Sequence, residues 1–333
     1  MSPATEPTPA EGTMPPDREA AEPRVGICVL DYLQPEATRN CIASLLAQEP
    51  ASTRILWLEN EAATSRQELE ATLAQAPFPW AWVDPEVDPL PGPGVVGVVP
   101  IPENLGYAGG NNVGLRFFHR HGVPYAWVLN NDTLVLRGCS DNLVRAAEAR
   151  PEVGAWGTPI ITRHFPCYFG GIVSLKDFSI KLAKSPECLE TEPLSYVSGC
   201  SLFIRTALAA ELGYIPEHFF LYYEDPAFGL ELRKAGYTLS GIWDVPIFHI
   251  ESLSTGRRSR LMEFYSRRNR WHFIQQYFPE HLARQRQRLW YHLQKYFFRL
   301  SFKRVALEYA AYRNFRAGLV GRAPRDYSRQ RPE

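Results

Sequence analysis

The chain has 333 residues, 45% of them apolar and 22% charged, enough to bury a large core in one composite domain with appendages. Lysine plus arginine and aspartate plus glutamate each number 36, a balance that argues against a generic nucleic-acid binder. The balance splits along the chain: residues 1–256 carry 17 basic and 31 acidic side chains, a net −14, while residues 257–333 carry 19 and 5, a net +14. Such an asymmetry suggests a basic tail with an anionic partner.

Residues 1–23 are rich in proline and glutamate and poor in large apolar side chains, so they predict a disordered leader. They show neither the basic start nor the apolar stretch of a secretory signal, and no run of about 18 apolar residues follows; both point to the cytoplasm. Six cysteines at 28, 41, 139, 167, 188 and 200 lack zinc-site spacing and read as thiols in a reducing compartment. The continuous apolar run Val25 to Leu30 predicts a strand buried on both faces. Helical spacing over 36–48, a strand over 54–58, a helix over 64–75 and a third strand over 80–83 follow, the alternation of an α/β domain with a mainly parallel sheet. Residues 84–100, with five prolines and three glycines, read as a loop. A Gly/Asn-rich turn over 103–112, a helix over 112–121 and a strand over 125–129 come next.

Three stretches carry candidate chemistry. Asp132 stands just past the strand at 125–129, at the carboxyl edge where open α/β sheets bind ligands. It suits Mg2+ or Mn2+ against a diphosphate, or serves a plain Asn/Asp turn. In the turn, Gly109 and Gly110 permit close approach of a ligand to the backbone, and Asn111 or Asn112 suits the following helix as N-cap. Glu224 and Asp225 follow an aromatic run and open a helix, so they either favour the helix dipole or place a general base over a pocket. His249, at the end of a strand over 245–249, is a structural residue or completes a metal site with an aspartate.

In chain order, VGICVLDY, NLGYAGGNNVG, LNNDT, SGCSLFIR, FFLYYEDPAFGLELRKAGY, FHIESLST and FYSRRNR make residues 25–275 resemble glycosyltransferase family 2, and within it the rhamnosyltransferase-like branch. The resemblance implies a GT-A fold, a Rossmann-like nucleotide-binding half joined to an acceptor half around one sheet, here over 24–275, with a helical extension over 276–333. It implies an inverting, metal-dependent transfer from a nucleotide diphosphate sugar to a glycan or lipid-linked acceptor in bacterial polysaccharide or cell-envelope synthesis. dTDP-rhamnose is the first donor expected, and a UDP-sugar the second. By position, Asp225 matches the general base, with Glu224 beside it; Asp132 matches the metal contact and His249 a further metal or diphosphate contact. Asp31, Tyr32, Glu59 and Asn60 match positions around the base and ribose. Asn104, Gly109, Gly110 and Asn131 match positions near the nucleotide sugar. Arg257 and Arg258 could add charge beside the diphosphate, or be solvated loop residues. Relatives usually carry Asn at the position of Asp31 and Asp at that of Glu59; the family's D-x-D stands here as Asn130-Asn131-Asp132, a variant common in the rhamnosyltransferase-like branch that does not by itself argue for lost activity.

Two other classes compete. A nucleotidyltransferase of similar fold should show a Gly-rich signature with Arg and Lys after the first strand, and VLDYLQPEA has none. A non-catalytic binding subunit fits the changes at 31 and 59, but not the retention of Asp132 and Asp225. In the tail, Leu289, Trp290, Leu293, Tyr296, Phe297 and Leu300 fall on one helical face and Arg288, Lys295 and Arg299 on another. The stretch 284–304 therefore fits an anionic membrane surface at the inner face of the plasma membrane; packing on the catalytic domain or a homo-oligomer interface are its alternatives.

Overall fold

A computed structural model describes residues 22–136, 138, 140–165, 167–250 and 260–323, with the backbone alone for 62–66. The leader up to residue 21, Cys139, and Arg257 and Arg258 with the rest of their loop lie outside the described residues.

The first apolar run forms β1 (Val25–Asp31), followed by α1 (Pro35–Leu46), whose first-turn proline has the φ a helix needs at a position with no N–H to satisfy. Then come β2 (Thr53–Asn60), α2 (Ala62–Leu73), β3 (Trp80–Trp82) and β4 (Val96–Ile101). β4 corrects the loop expected over 84–100: it pairs in parallel with β2 along its length and with β3 over Val96–Val98. At Pro100 the β3 pairing has already ended, so the missing N–H breaks no ladder on that side.

α3 (Gly106–Arg120) is the second correction, because Gly109, Gly110, Asn111 and Asn112 lie inside it and form neither a ligand-facing turn nor its N-cap. A Cβ on Gly110 would stand 2.5 Å from Leu30 Cδ1, so the glycine lets the helix press onto β1. Asn112 bonds the backbone of Ile215 in both directions, and Asn111 donates to the Tyr107 carbonyl. Gly106 starts the helix at φ 76°, and a Cβ there would meet the Phe220 carbonyl oxygen at 2.2 Å, so only glycine fits.

The chain continues through β5 (Tyr125–Asn130), β6 (Thr133–Val135), α4 (Ser140–Ala149), β7 (Val153–Gly157), β8 (Ile160–Ile161), β9 (Gly170–Val173) and β10 (Ile180–Ala183). α5 (Pro186–Thr191), β11 (Ser195–Val197), β12 (Ser201–Arg205), α6 (Thr206–Glu211), α7 (Glu224–Lys234), β13 (Thr238–Gly241) and β14 (Ile247–His249) follow. The described residues end with three helices, α8 (Arg260–Tyr277), α9 (Leu282–Phe298) and α10 (Phe302–Arg316).

Eight strands form the main sheet in the order β13-β7-β12-β5-β1-β2-β4-β3, parallel except that β12 runs against both neighbours. Alternate residues of its strands feed two cores. Ile27 and Val29 meet Cys41, Ile42 and Leu45 of α1, with Leu69 of α2 and Leu143 of α4 in the same cluster. Cys28 and Val128 face Leu115 and Phe118 of α3 and a layer that includes Leu208 and Phe228. The result is an α/β/α sandwich with a C-terminal edge left open for a site. Two three-stranded sheets, β10-β9-β11 and β6-β14-β8, flank it.

The described cysteines are free thiols, with Cys28, Cys41 and Cys200 buried. In the tail, only Leu289 and Leu293 of the expected apolar face are buried, against Trp271 and Phe315. Trp290 and Phe297 of that face point outward, and the helix stops before Leu300. α10 packs on α8 through Ala311, Phe264 and Tyr265. Among the described residues, no helix is long and apolar enough to cross a membrane.

Candidate active site

β1 lies between β2 and β5, so the chain leaves β4 on one side of β1 and returns on the other, the topological switch where open α/β sheets bind ligands. Asp31 and Glu59 are in register at the carboxyl ends of β1 and β2. Asp31 is fully buried and accepts from the Gln34 N–H at 2.9 Å, Trp57 Nε1 at 3.2 Å and Asn131 Nδ2 at 3.3 Å. Burial raises its carboxyl to about 6 against those donors and hydrogen bonds to Thr38 and Glu59. Two carboxyls that hydrogen-bond each other share a proton, so the Asp31–Glu59 pair carries one negative charge where two separate carboxylates would carry two.

Asn60 is likewise committed. Its Oδ1 accepts from the Leu105 N–H at 2.9 Å, and its Nδ2 donates to Asn104 Oδ1 at 3.2 Å and the Gly106 carbonyl at 3.1 Å. Asn60 and Asn104 therefore shape the approach to α3. Tyr32 is only half-buried, and burial followed by Glu61 raises its phenol. Arg322, from the basic tail, reaches the same end and pairs with Glu61 at 3.3 Å. An open cleft of about 390 Å³ lies nearby, lined by Gln34, Pro35, Asn40, Asn131, Thr133 and Ile250 among others.

β5 ends at Asn130, and the turn Asn131-Asp132 leads into β6. β14 pairs against β6 with His249 opposite Thr133, and the Ile250 N–H donates to the Asp132 carbonyl at 2.9 Å. That small sheet explains why His249 Nε2 stands 3.1 Å from Asp132 Oδ1. Burial favours the neutral imidazole; the Cys200 sulfur and the Asp132 carboxylate outweigh it and hold the ring above its ordinary value. No group of three or more His, Cys, Asp and Glu side chains able to hold a metal occurs among the described residues. One carboxylate oxygen, and the imidazole nitrogen once it gives up its proton, would fit a Mg2+ or Mn2+ ion, since such ions keep few protein ligands beside phosphates and water.

The third element is strained. Phe220, Tyr222 and Tyr223 have φ of 66°, 66° and 77°, in a left-handed region that bulky side chains avoid. The Asn269 amide on α8 holds this segment, with Nδ2 at 2.6, 2.8 and 2.8 Å from the carbonyl oxygens of Phe219, Leu221 and Tyr222. Arg268 donates from Nε to Asn269 Oδ1 at 2.9 Å. The segment delivers Glu224 and Asp225 to the first turn of α7, which has no side-chain cap. Asp225 Oδ2 instead accepts the Gly199 N–H at 2.8 Å, while the Tyr107 hydroxyl donates to the Gly199 carbonyl at 2.6 Å. A Cβ on Gly199 would stand 2.4 Å from that hydroxyl and 2.6 Å from Asp225 Oδ1, so any side chain there would displace Tyr107 or Asp225.

Burial raises Asp225 to about 6, and the Gly199 N–H opposes the rise. Burial, then the Asp225 charge, raises Glu224 to about 8; its Oε2 has no hydrogen-bond partner among the described residues. Near neutral pH the neighbours divide the roles, Asp225 ionised and Glu224 protonated. Cys200, next to Gly199, lies within the electrostatic reach of His249, Asp132 and Asp225, and its carbonyl accepts from the Asn130 N–H at 3.2 Å. Gly199 and Cys200 thus stitch the Asp225 side of the site to the Asp132 side. Neither was a candidate from sequence, nor were Tyr107, Asn269 and Arg322; the motifs NLGYAGGNNVG, SGCSLFIR and FYSRRNR contain four of the five.

Glu224 also makes stability depend on pH. Its folded value of about 8 exceeds the ordinary 4.5, so between these values the unfolded chain releases a proton that the folded chain keeps. Stability therefore falls as pH rises through that window. Glu224→Gln is expected to unfold at a higher temperature than the parent at pH 8, with the gap shrinking at pH 5, as thermal melts at both pH values would read.

Residues 127–316, more than half of the chain, match the sequence model of Glycosyl transferase family group 2. No curated protein matches the chain in sequence. Among solved structures, the mannosyltransferase PcManGT from Pyrobaculum calidifontis, in complex with GDP-Man and Mn2+, is similar at 15% identity and a TM-score of 0.50. That similarity covers 93% of this chain and 79% of the mannosyltransferase. GalNAc-T7 with UDP, GalNAc and Mn2+ is similar at 12% identity and a TM-score of 0.50, over 74% of this chain and 47% of that one. At these identities the likeness is one of fold. The chain belongs to glycosyl transferase family group 2 and is built on the GT-A fold.

Proposed function

We propose that this chain transfers a sugar from a nucleotide diphosphate donor to an acceptor hydroxyl with inversion at the anomeric carbon, Asp225 acting as general base. The observation that carries this reading is the carboxylate of Asp225, fixed by the Gly199 N–H at 2.8 Å and poised near 6 beside a protonated Glu224. An ionised, oriented carboxylate at that pKa can take the acceptor proton as the hydroxyl attacks. Glu224 keeps a second negative charge from crowding the same volume.

Asp132 and His249 would hold the divalent ion, and Asn131, anchored to Asp31 and Thr38, fixes the turn that carries Asp132. When bound there, such an ion supplies positive charge to the departing diphosphate. Tyr32 would meet the nucleoside, with Asp31, Glu59, Asn60 and Asn104 acting from behind as its frame and Gly109 and Gly110 seating α3 on the sheet. The ligands named with the two similar structures, GDP-Man in one and UDP with GalNAc in the other, support a nucleotide sugar as substrate. The resemblance to the rhamnosyltransferase-like branch makes dTDP-rhamnose the first donor to test and a UDP-sugar the second, with a glycan or lipid-linked acceptor. Incubation with each donor and Mn2+ should release nucleoside diphosphate, and chelation should stop the release; no release from any donor would refute the reading.

A further inference from the structure

α9 and α10 turn over at Leu300, whose φ is 54°. At this corner Phe297 meets Phe298 and Phe302 with ring centroids 6.0 and 5.8 Å apart, yet the cluster faces outward. Phe298 is 82% exposed, Leu300 75% and Trp290, seven residues before Phe297, 59%. Single exposed apolar side chains are ordinary, but a contiguous aromatic tip marks a contact surface.

The charge around the tip selects the partner. Residues 281–307 contain no aspartate or glutamate, and Lys295, Arg299 and Arg304 are exposed beside the rings. The Arg304 guanidinium lies 5.8 Å from the centre of the Tyr296 ring, so cation and aromatic surfaces are contiguous. A partner for this tip must be apolar in the middle and anionic at the rim, as at the headgroup–acyl boundary of an acidic bilayer. A second copy would bring like charges together across the rings, and a nucleic acid would leave Leu300 without an apolar neighbour.

We propose that the α9–α10 corner docks this enzyme on an anionic membrane surface. Phe297, Phe298 and Leu300 enter the acyl boundary while Lys295, Arg299 and Arg304 meet the lipid phosphates. The corner makes the contact, and the Leu289–Leu293 face stays buried on Trp271 and Phe315. With no membrane-crossing helix among the described residues, the contact is peripheral. The inference does not depend on the assignment of donor or base.

Co-sedimentation of the full chain with vesicles tests it, using phosphatidylcholine alone and phosphatidylcholine mixed with phosphatidylglycerol. The chain should partition to the mixed vesicles and hardly to the neutral ones. F297S/F298S and K295Q/R299Q/R304Q should each lower that partition about tenfold or more, and both should melt with the parent because the altered side chains are exposed. Equal recovery on both vesicles, variants that bind like the parent, or variants that lose their fold would overturn the proposal. So would light scattering that shows a dimer dispersed by F297S/F298S, or capture by an oligonucleotide, without partition to the mixed vesicles.

Discussion

Asp225→Asn is expected to reduce sugar transfer by about 10²–10⁴-fold while leaving donor affinity nearly unchanged. The substitution keeps an oxygen that can accept the Gly199 N–H, so the first turn of α7 should hold its place. What it removes is the group that takes the proton. The parent's rate should rise through about pH 6 as Asp225 ionises, and the residual rate of the variant should lose that limb. A side chain that merely shaped the fold would change thermal stability and donor affinity together and leave the pH limb in place. Transfer assays from pH 5 to 8, paired with donor titrations, separate the two, and an Asn variant of near-parental rate excludes Asp225 as the base.

The next largest effect is expected at Asn269, which no reading of candidate side chains would place near the chemistry. Its amide faces three carbonyls of a segment in which Phe220, Tyr222 and Tyr223 occupy left-handed conformations. Each such conformation is costly and persists only where its surroundings over-determine it. Asn269→Ala removes one donor from each of the Phe219, Leu221 and Tyr222 carbonyls, a loss of about 1–3 kcal/mol. The released segment should let Glu224 and Asp225 drift, so kcat should fall more than donor affinity. Asn269→Asp should be worse, because a carboxylate would point acceptor oxygens at acceptor carbonyls. Thermal melts with a kcat-against-KM comparison check this, and melts that fall with kcat intact would mark Asn269 as purely structural.

Much of the scaffold was legible because its strands are buried on both faces. β1, β2 and β5 read as uninterrupted apolar runs, and their ends place Asp31, Glu59 and the turn of Asp132 at the sheet edge. β4 was hidden because Gly97 and Pro100 break its run after a proline-rich stretch, and its tolerance of Pro100 depends on where β3 stops. The glycines of α3 misled for a similar reason. Gly110 and Gly114 answer to Leu30 and Cys28 across the layer boundary, and such distant contacts leave no local periodicity.

The site divides in the same way. Asp132, Asp225 and His249 stand out as charged groups at element ends, but only the small β6-β14-β8 sheet brings His249 to Asp132. Gly199 acts through its backbone and offers no side chain to notice, although it links Tyr107 to Asp225. Asp31, Glu59 and Asn60 look in sequence like ligands for a base, and in the fold they are buried and bonded to one another or to the chain. In the tail, periodicity revealed an amphipathic helix but could not say which half of its apolar residues α8 and α10 would cover.

Donor binding measured by thermal shift, across a panel of nucleotide diphosphate sugars with Mn2+, tests the site most directly. A ligand at 100 times its Kd stabilises a protein by about 2.7 kcal/mol, so the true donor should raise the melting temperature by a readable amount. The same shift should persist in Asp225→Asn and shrink by at least half in Asp132→Ala, because only the latter loses the oxygen assigned to the cation and diphosphate. A panel in which no nucleotide sugar moves the melt, or an Asp132→Ala shift equal to the parent's, would contradict a nucleotide-sugar site at this edge of the sheet.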